Sequence, residues 1–144
     1  MSFLTVILER IREQADHPFL LEATPDGLVA TNGRQLTESV ARARAALREL
    51  GLQAGDRCAL LHPNSTAWVA IDLAMLAEGL LTVPLYARQK PAEMARILED
   101  CLPSVLICDD AELAGTVREN LEAPPRVVTT AELLAERPLP DAPE

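Results

Sequence analysis

The stretch from Gly51 to Tyr86 constrains the chain most, because its punctuation allows only one kind of local structure. Gly51 suits the left-handed residue that ends a helix, and Gly55-Asp56 makes a turn. Cys58 to Leu61 is too apolar for a strand with one wet face, so it reads as a strand covered on both sides. Asn64 or Ser65 can cap the apolar helix that follows, and Gly79 ends it. Pro84 cannot donate to a sheet ladder, which places it near the end of a second strand starting at Leu80. A strand, a helix and a second strand in this order predict a parallel pair with the helix crossing one face.

The alternation continues downstream and predicts an α/β fold: a mostly parallel sheet flanked by helices. The helix Ser65–Glu78 carries Asp72 as its only interior charge; Ala67, Ala70, Ala74 and Ala77 keep it thin, so it should be buried on most sides. Pro91 fits the first turn of a helix running to Cys101, with Met94, Ile97, Leu98 and Cys101 inward. Val105–Cys108 is another buried strand. Asp109 with Glu112 resembles a capping pattern for a helix through Leu121, and Arg126–Thr129 reads as the last strand. Thr129 with Glu132 is a capping box for a short helix at 131–136.

Before this region, Leu4, Ile7, Leu8 and Ile11 recur at helical spacing over residues 3–15, and His17-Pro18 stops the helix. Phe19–Glu22 and Leu28–Thr31 are strand candidates, and Asn32-Gly33 is the expected type I′ turn of a small antiparallel hairpin. Thr37 is the expected cap of the next helix, with Val40, Ala43, Leu47 and Leu50 buried and Arg42, Arg44 and Arg48 forming a solvated face. The organisation that follows is one α/β subdomain over 1–136, divided into helix plus hairpin (1–37) and alternating helix and strand (38–136). Residues 137–144, with three prolines, read as a linker or truncated end.

Composition excludes several functions. A net charge of −9, from 22 acids against 13 bases, disfavours nucleic acid and anionic membranes as partners. Only 3% of the residues are aromatic, so stacking platforms for bases are lacking. Three cysteines, Cys58, Cys101 and Cys108, form no C-x-x-C pair and argue against a disulfide scaffold; a cytoplasmic location is expected. No apolar run reaches the roughly 20 residues of a membrane span.

The chain offers few candidates for chemistry. Asp109-Asp110 at a strand end could hold a divalent cation, as in a stand-alone receiver-like regulatory module, but helix capping accounts for Asp109. His62 lies where a parallel strand meets a loop, the usual ligand edge of an open sheet, with no carboxylate or cysteine at a spacing that suggests a triad. Asn64-Ser65 could present a helix N-terminus to an anion, but lacks the glycines for close wrapping. Neither G-x-G-x-x-G nor G-x-x-x-x-G-K-[ST] is present. The three cysteines are expected on buried faces. These residues therefore predict no catalytic, cofactor-binding or metal site.

Residues 19–110 go further by resemblance. Asn32-Gly33-Arg34-Gln35-Leu36-Thr37 and its Ala/Arg/Leu helix, Gly51–Asp56, Arg57–Ser65, Ala77–Tyr86, Pro91–Cys101 and Val105-Leu106-Ile107 are similar, in order and spacing, to the opening third of the large domain of AMP-forming acyl-CoA synthetases. Pro84-Leu85-Tyr86 followed by Pro91-Ala92-Glu93 looks most like the long-chain fatty acid CoA ligases. The resemblance implies the N-terminal subdomain of the adenylate-forming fold, from an enzyme that uses ATP, Mg²⁺ and coenzyme A to make an acyl-adenylate and then a thioester. The family's Thr-Ser-Gly-Thr-Thr-Gly phosphate loop, Tyr-Gly-x-Thr-Glu and Thr-Gly-Asp segments are absent from these residues. The resemblance thus implies a scaffold that is inactive alone, with the remaining subdomains as partners and self-association through the apolar surface they would cover.

Overall fold

The computed structural model describes residues 2–139. Its elements are α1 (Phe3–Glu13), β1 (Pro18–Thr24), β2 (Gly27–Asn32), α2 (Gly33–Glu49), β3 (Arg57–Leu61), α3 (Thr66–Ala77), β4 (Leu81–Pro84), α4 (Pro91–Cys101), β5 (Val105–Cys108), α5 (Ala111–Glu119), β6 (Arg126–Val128) and α6 (Thr130–Leu134). β1 and β2 form an antiparallel hairpin, and the other four strands form a parallel sheet in the order β4-β3-β5-β6.

Strand alternation divides the interior into two cores. Cys58, Leu60, Val105, Ile107 and Val128 face one side of the sheet, where they pack with Val40, Leu47, Ile71, Met75 and Leu133. Ala59, Leu61, Leu106 and Cys108 face the other, against Met94, Leu98, Ala114 and Val117. Thus α2, α3 and α6 cover one face and α4 and α5 the opposite one. β3 and β5 are buried on both sides, as their continuous apolar runs require.

The expected glycine stops hold. Gly51 and Gly79 adopt positive φ after α2 and α3, and each helix closes with the paired backbone bonds of a Schellman motif: Gly51 to Arg48 with Leu52 to Leu47, and Gly79 to Leu76 with Leu80 to Met75. Ser65 caps α3 by accepting from the Trp68 amide at 3.1 Å.

Asn32-Gly33 is not the hairpin turn. The hairpin turns at 24–27, where Thr24 Oγ1 donates to the Gly27 carbonyl at 2.9 Å and Gly27 takes φ 126°. Asn32 instead caps α2: its side chain accepts from the Gln35 amide at 2.9 Å, and Gln35 Oε1 accepts from the Asn32 amide at 2.9 Å. This capping box also displaces Thr37 as the expected start of the helix.

The α2 arginines are not simply solvated. Arg44 Nε meets Glu78 Oε1 at 2.6 Å, and Arg48 grips both Glu78 oxygens at 2.7 Å. Glu78, with 14% side-chain exposure at the end of α3, thereby ties α3 to α2. Burial alone would push its carboxyl up, but the hydrogen bonds and charges of Arg48 and Arg44 outweigh this and hold it below its ordinary 4.5. The unfolded chain therefore takes up the proton first. The stabilisation from Glu78 is complete above about pH 4.5 and is lost as pH falls through the lower folded-state value. Chemical denaturation between pH 7 and 3 should show an acid limb that is shallower in Glu78→Gln, whose stability at pH 7 is already reduced.

The Pro-rich tail from 140 onward lies outside the described residues. Arg137, just before it, is docked: its guanidinium bonds Glu49 at 2.7 Å and the Glu132 carbonyl at 2.6 Å.

Candidate functional site: the carboxyl edge of the parallel sheet

β3 leads to β4 on one side and β5 leads to β6 on the other, so the connections diverge between β3 and β5. The crevice beyond the carboxyl ends of two such strands is where open α/β sheets hold ligands. In the ladder Leu61 pairs with Cys108, so the next residues, His62 and Asp109, emerge side by side. His62 Nε2 lies 3.2 Å from Asp109 Oδ2. Sequence spacing suggests no triad partner for His62, and the carboxylate that meets it is found only in the fold: the two are far apart in the chain but adjacent in parallel register.

Asp109 is also not the α5 cap. Asp110 fills that role, accepting from the Leu113 amide at 2.8 Å. Asp109 reaches across to α6, where Oδ1 accepts from the Thr130 amide at 2.6 Å and Oδ2 accepts from the Thr130 hydroxyl. Thr130 is only 5% exposed, so these bonds satisfy donors with no access to water. Burial alone would raise the Asp109 carboxyl, but the Thr130 hydroxyl and amide, with His62 beside them, hold it below its ordinary range.

The other side of the ring faces α3. His62 Nδ1 donates to the Pro63 carbonyl at 2.8 Å, and Ser65 Oγ is 3.3 Å from the same nitrogen. Serine, histidine and aspartate are thus in line, but the arrangement does not suit acyl transfer. A nucleophilic serine needs a ring nitrogen free to accept its proton. Here Nδ1 is committed to donate to Pro63, and Ser65 Oγ is occupied by the Trp68 amide. The constellation joins the ends of β3 and β5 to the starts of α3 and α6.

The N-terminus of α3 is occupied as well. Glu22 of the hairpin accepts from the Thr66 amide at 2.9 Å, and this amide, followed by the Thr66 hydroxyl, holds the Glu22 carboxyl below its ordinary range. An incoming phosphate at this helix start would meet the Glu22 carboxylate already seated on the Thr66 amide. Among the described residues no three His, Cys, Asp or Glu side chains are placed to hold a metal. Asp109 and Asp110 have separate structural roles, which removes the basis for a receiver-like cation pair.

Cys58 and Cys108 are buried as expected, whereas Cys101 is only half-buried. Burial pushes the Cys58 thiol up to about 12, with Asp56 adding to the effect; burial raises Cys101 and Cys108 too. None has the thiolate character of a nucleophile. No helix among the described residues is long and apolar enough to cross a membrane.

Comparison with known proteins places this architecture. The family described as AMP-binding enzyme matches residues 8–144. A long-chain-fatty-acid–CoA ligase of Mycobacterium bovis is 31% identical over 90 residues, covering 58% of this chain and 15% of its own. The mitochondrial medium-chain acyl-CoA ligase ACSF2 of Rattus norvegicus is 37% identical over 70 residues, covering 49% and 11%. The chain therefore spans a minor part of the curated relatives it matches. Among solved structures, the anthranilate CoA ligase AuaEII aligns over 91% of this chain and 26% of its own, at 27% identity and a TM-score of 0.76. The N-terminal domain of FACL13 from Mycobacterium tuberculosis shares the fold over 99% of this chain and 38% of its own, at 23% identity and a TM-score of 0.76. The fold is thus that of an N-terminal portion, and the chain belongs to the AMP-binding enzyme family of AMP-forming acyl-CoA ligases.

Proposed function

We propose that this chain is the N-terminal structural subdomain of an ATP-dependent acyl-CoA synthetase that activates a carboxylic acid as acyl-AMP and passes the acyl group to coenzyme A. The reading rests on the carboxyl edge: where a ligand would sit, Glu22, Ser65, His62, Asp109 and Thr130 are bonded to one another and to helix ends. Such an edge supports a scaffolding role, with ATP, Mg²⁺ and coenzyme A held by the rest of the enzyme. No residue of this chain is assigned to catalysis. The two curated relatives described above, long-chain and medium-chain ligases, support a fatty acid as the substrate. Three unpaired thiols support a cytoplasmic setting.

The hairpin supports the remaining subdomains as partners. Leu21 and Leu28 are 66% and 72% exposed, and with Ala23 and Ala30 they make its outer face wholly apolar. Such a face is suited to burial against a neighbouring subdomain, and alone it favours self-association. In our reading residues 1–136 form the folding unit and 137–144 connect it onward. A pyrophosphate-release assay on the isolated chain with ATP, coenzyme A and a series of fatty acids should give no turnover above background. Sustained, acid-dependent release would overturn the scaffold reading.

A further inference from the structure

We propose that the groove between the C-terminal ends of α4 and α5 docks a cationic amphipathic segment of a partner protein. This groove lies at the amino edge of the sheet, opposite the His62–Asp109 cluster, and encloses about 590 Å³. Leu98, Leu102, Leu121 and Pro125 supply its apolar lining, and Glu99 and Glu122 its charge.

Leu102 is the most telling residue. It occupies the left-handed conformation, with φ 47° and ψ 63°, the only non-glycine among the described residues with positive φ. Glycine is cheaper there, and a leucine side chain 73% exposed gains nothing from the solvent around it. Both costs are offset if an apolar partner covers the side chain.

Charge identifies the chemistry of that partner. Neither Glu99 nor Glu122 forms an ion pair among the described residues. The C-terminal carbonyl ends of two helices converge on the groove, adding partial negative charge, and the last turn of α4 holds no basic residue. Arg118 and Arg126 are nearby in the chain and Arg57 is bonded through its carbonyl to the Ser104 amide, but none of the three lines the groove. An occupant with an apolar ridge flanked by lysine or arginine satisfies both the lining and the charge, within a chain of net charge −9.

The test is fluorescence anisotropy of the full chain with a labelled helical peptide bearing a leucine stripe flanked by lysines. Its scrambled form and its glutamate analogue serve as controls. The lysine peptide should bind at least about tenfold more tightly than either control. Leu102→Gly should weaken it about tenfold while leaving the unfolding midpoint equal or higher, because it relieves the left-handed strain. Glu99→Gln with Glu122→Gln should weaken it similarly and reduce the salt dependence. Equal binding of the scrambled peptide, or undiminished binding by Leu102→Gly, would overturn the proposal. So would light scattering that shows a dimer of the chain dissolved by Leu102→Gly, which would assign the groove to a second copy.

Discussion

Gly33→Ala should destabilise the chain by about 3 kcal/mol, as measured by urea unfolding at neutral pH. A Cβ at this position would collide with the Ile11 carbonyl oxygen and approach the Gln14 carbonyl oxygen to 2.7 Å and the Ala15 Cα to 3.1 Å. All three are backbone atoms, so no side chain can swing aside. They belong to the end of α1 and the turn after it, which the Gly33 amide joins through His17 O at 3.1 Å and the Arg34 amide through Ala15 O at 2.8 Å. Relieving the clash therefore means lifting α1 off α2 and uncovering Ile11. The opposing effect is the better helix propensity of alanine, worth only about 1 kcal/mol. Gly115, inside α5, isolates that smaller effect, because a methyl group added there would meet nothing within 4 Å. Gly115→Ala should stabilise the chain by about 0.5–1 kcal/mol. If both substitutions shift the midpoint the same way, the close approach at Gly33 is wrong.

Gly33 also shows why the sequence is legible in some places and misleading in others. β3, α3 and β4 follow from local chemistry: an apolar run, a serine cap, an alanine-rich helix and a glycine stop all lie within one contiguous stretch. Asn32-Gly33 is locally ambiguous, because the same dipeptide serves an I′ turn or a capped helix start. A contact with α1 decides between them, and that contact is not written in the neighbouring residues. Gln35 is the available clue, since asparagine followed three residues later by glutamine is also a capping pattern. The arginines of α2 mislead for a similar reason: Glu78 lies at the end of the next helix, and only the packing of α2 on α3 brings it within reach. The site is least legible. His62 and Asp109 become neighbours through the pairing of β3 with β5, and parallel register leaves no signature in sequence spacing.

Asp109→Ala should cost about 2–4 kcal/mol, against about 1 kcal/mol for Asp110→Ala, although the two aspartates are adjacent. Asp110 caps an exposed helix start through one bond to Leu113, and water can replace it when the carboxylate is removed. Asp109 is the acceptor for both the amide and the hydroxyl of Thr130, which is shielded from solvent, and it also faces His62. Its loss strands two donors of a buried residue and detaches the start of α6 from the end of β5. Leu133 of α6 packs in the core shared with α2 and α3, so the loosening should spread to that face of the sheet. Hydrogen exchange should accordingly show faster opening of the Thr130 amide and of α6 in Asp109→Ala, while α4 on the opposite face keeps its protection. The sequence pattern alone, with Asp109 as the cap and Asp110 without a partner, keeps that order but changes both magnitudes, to about 1 kcal/mol for Asp109→Ala and none for Asp110→Ala. A neutral Asp110→Ala beside a loss of only about 1 kcal/mol in Asp109→Ala would restore that assignment and remove the His62–Asp109–Thr130 junction from the carboxyl edge.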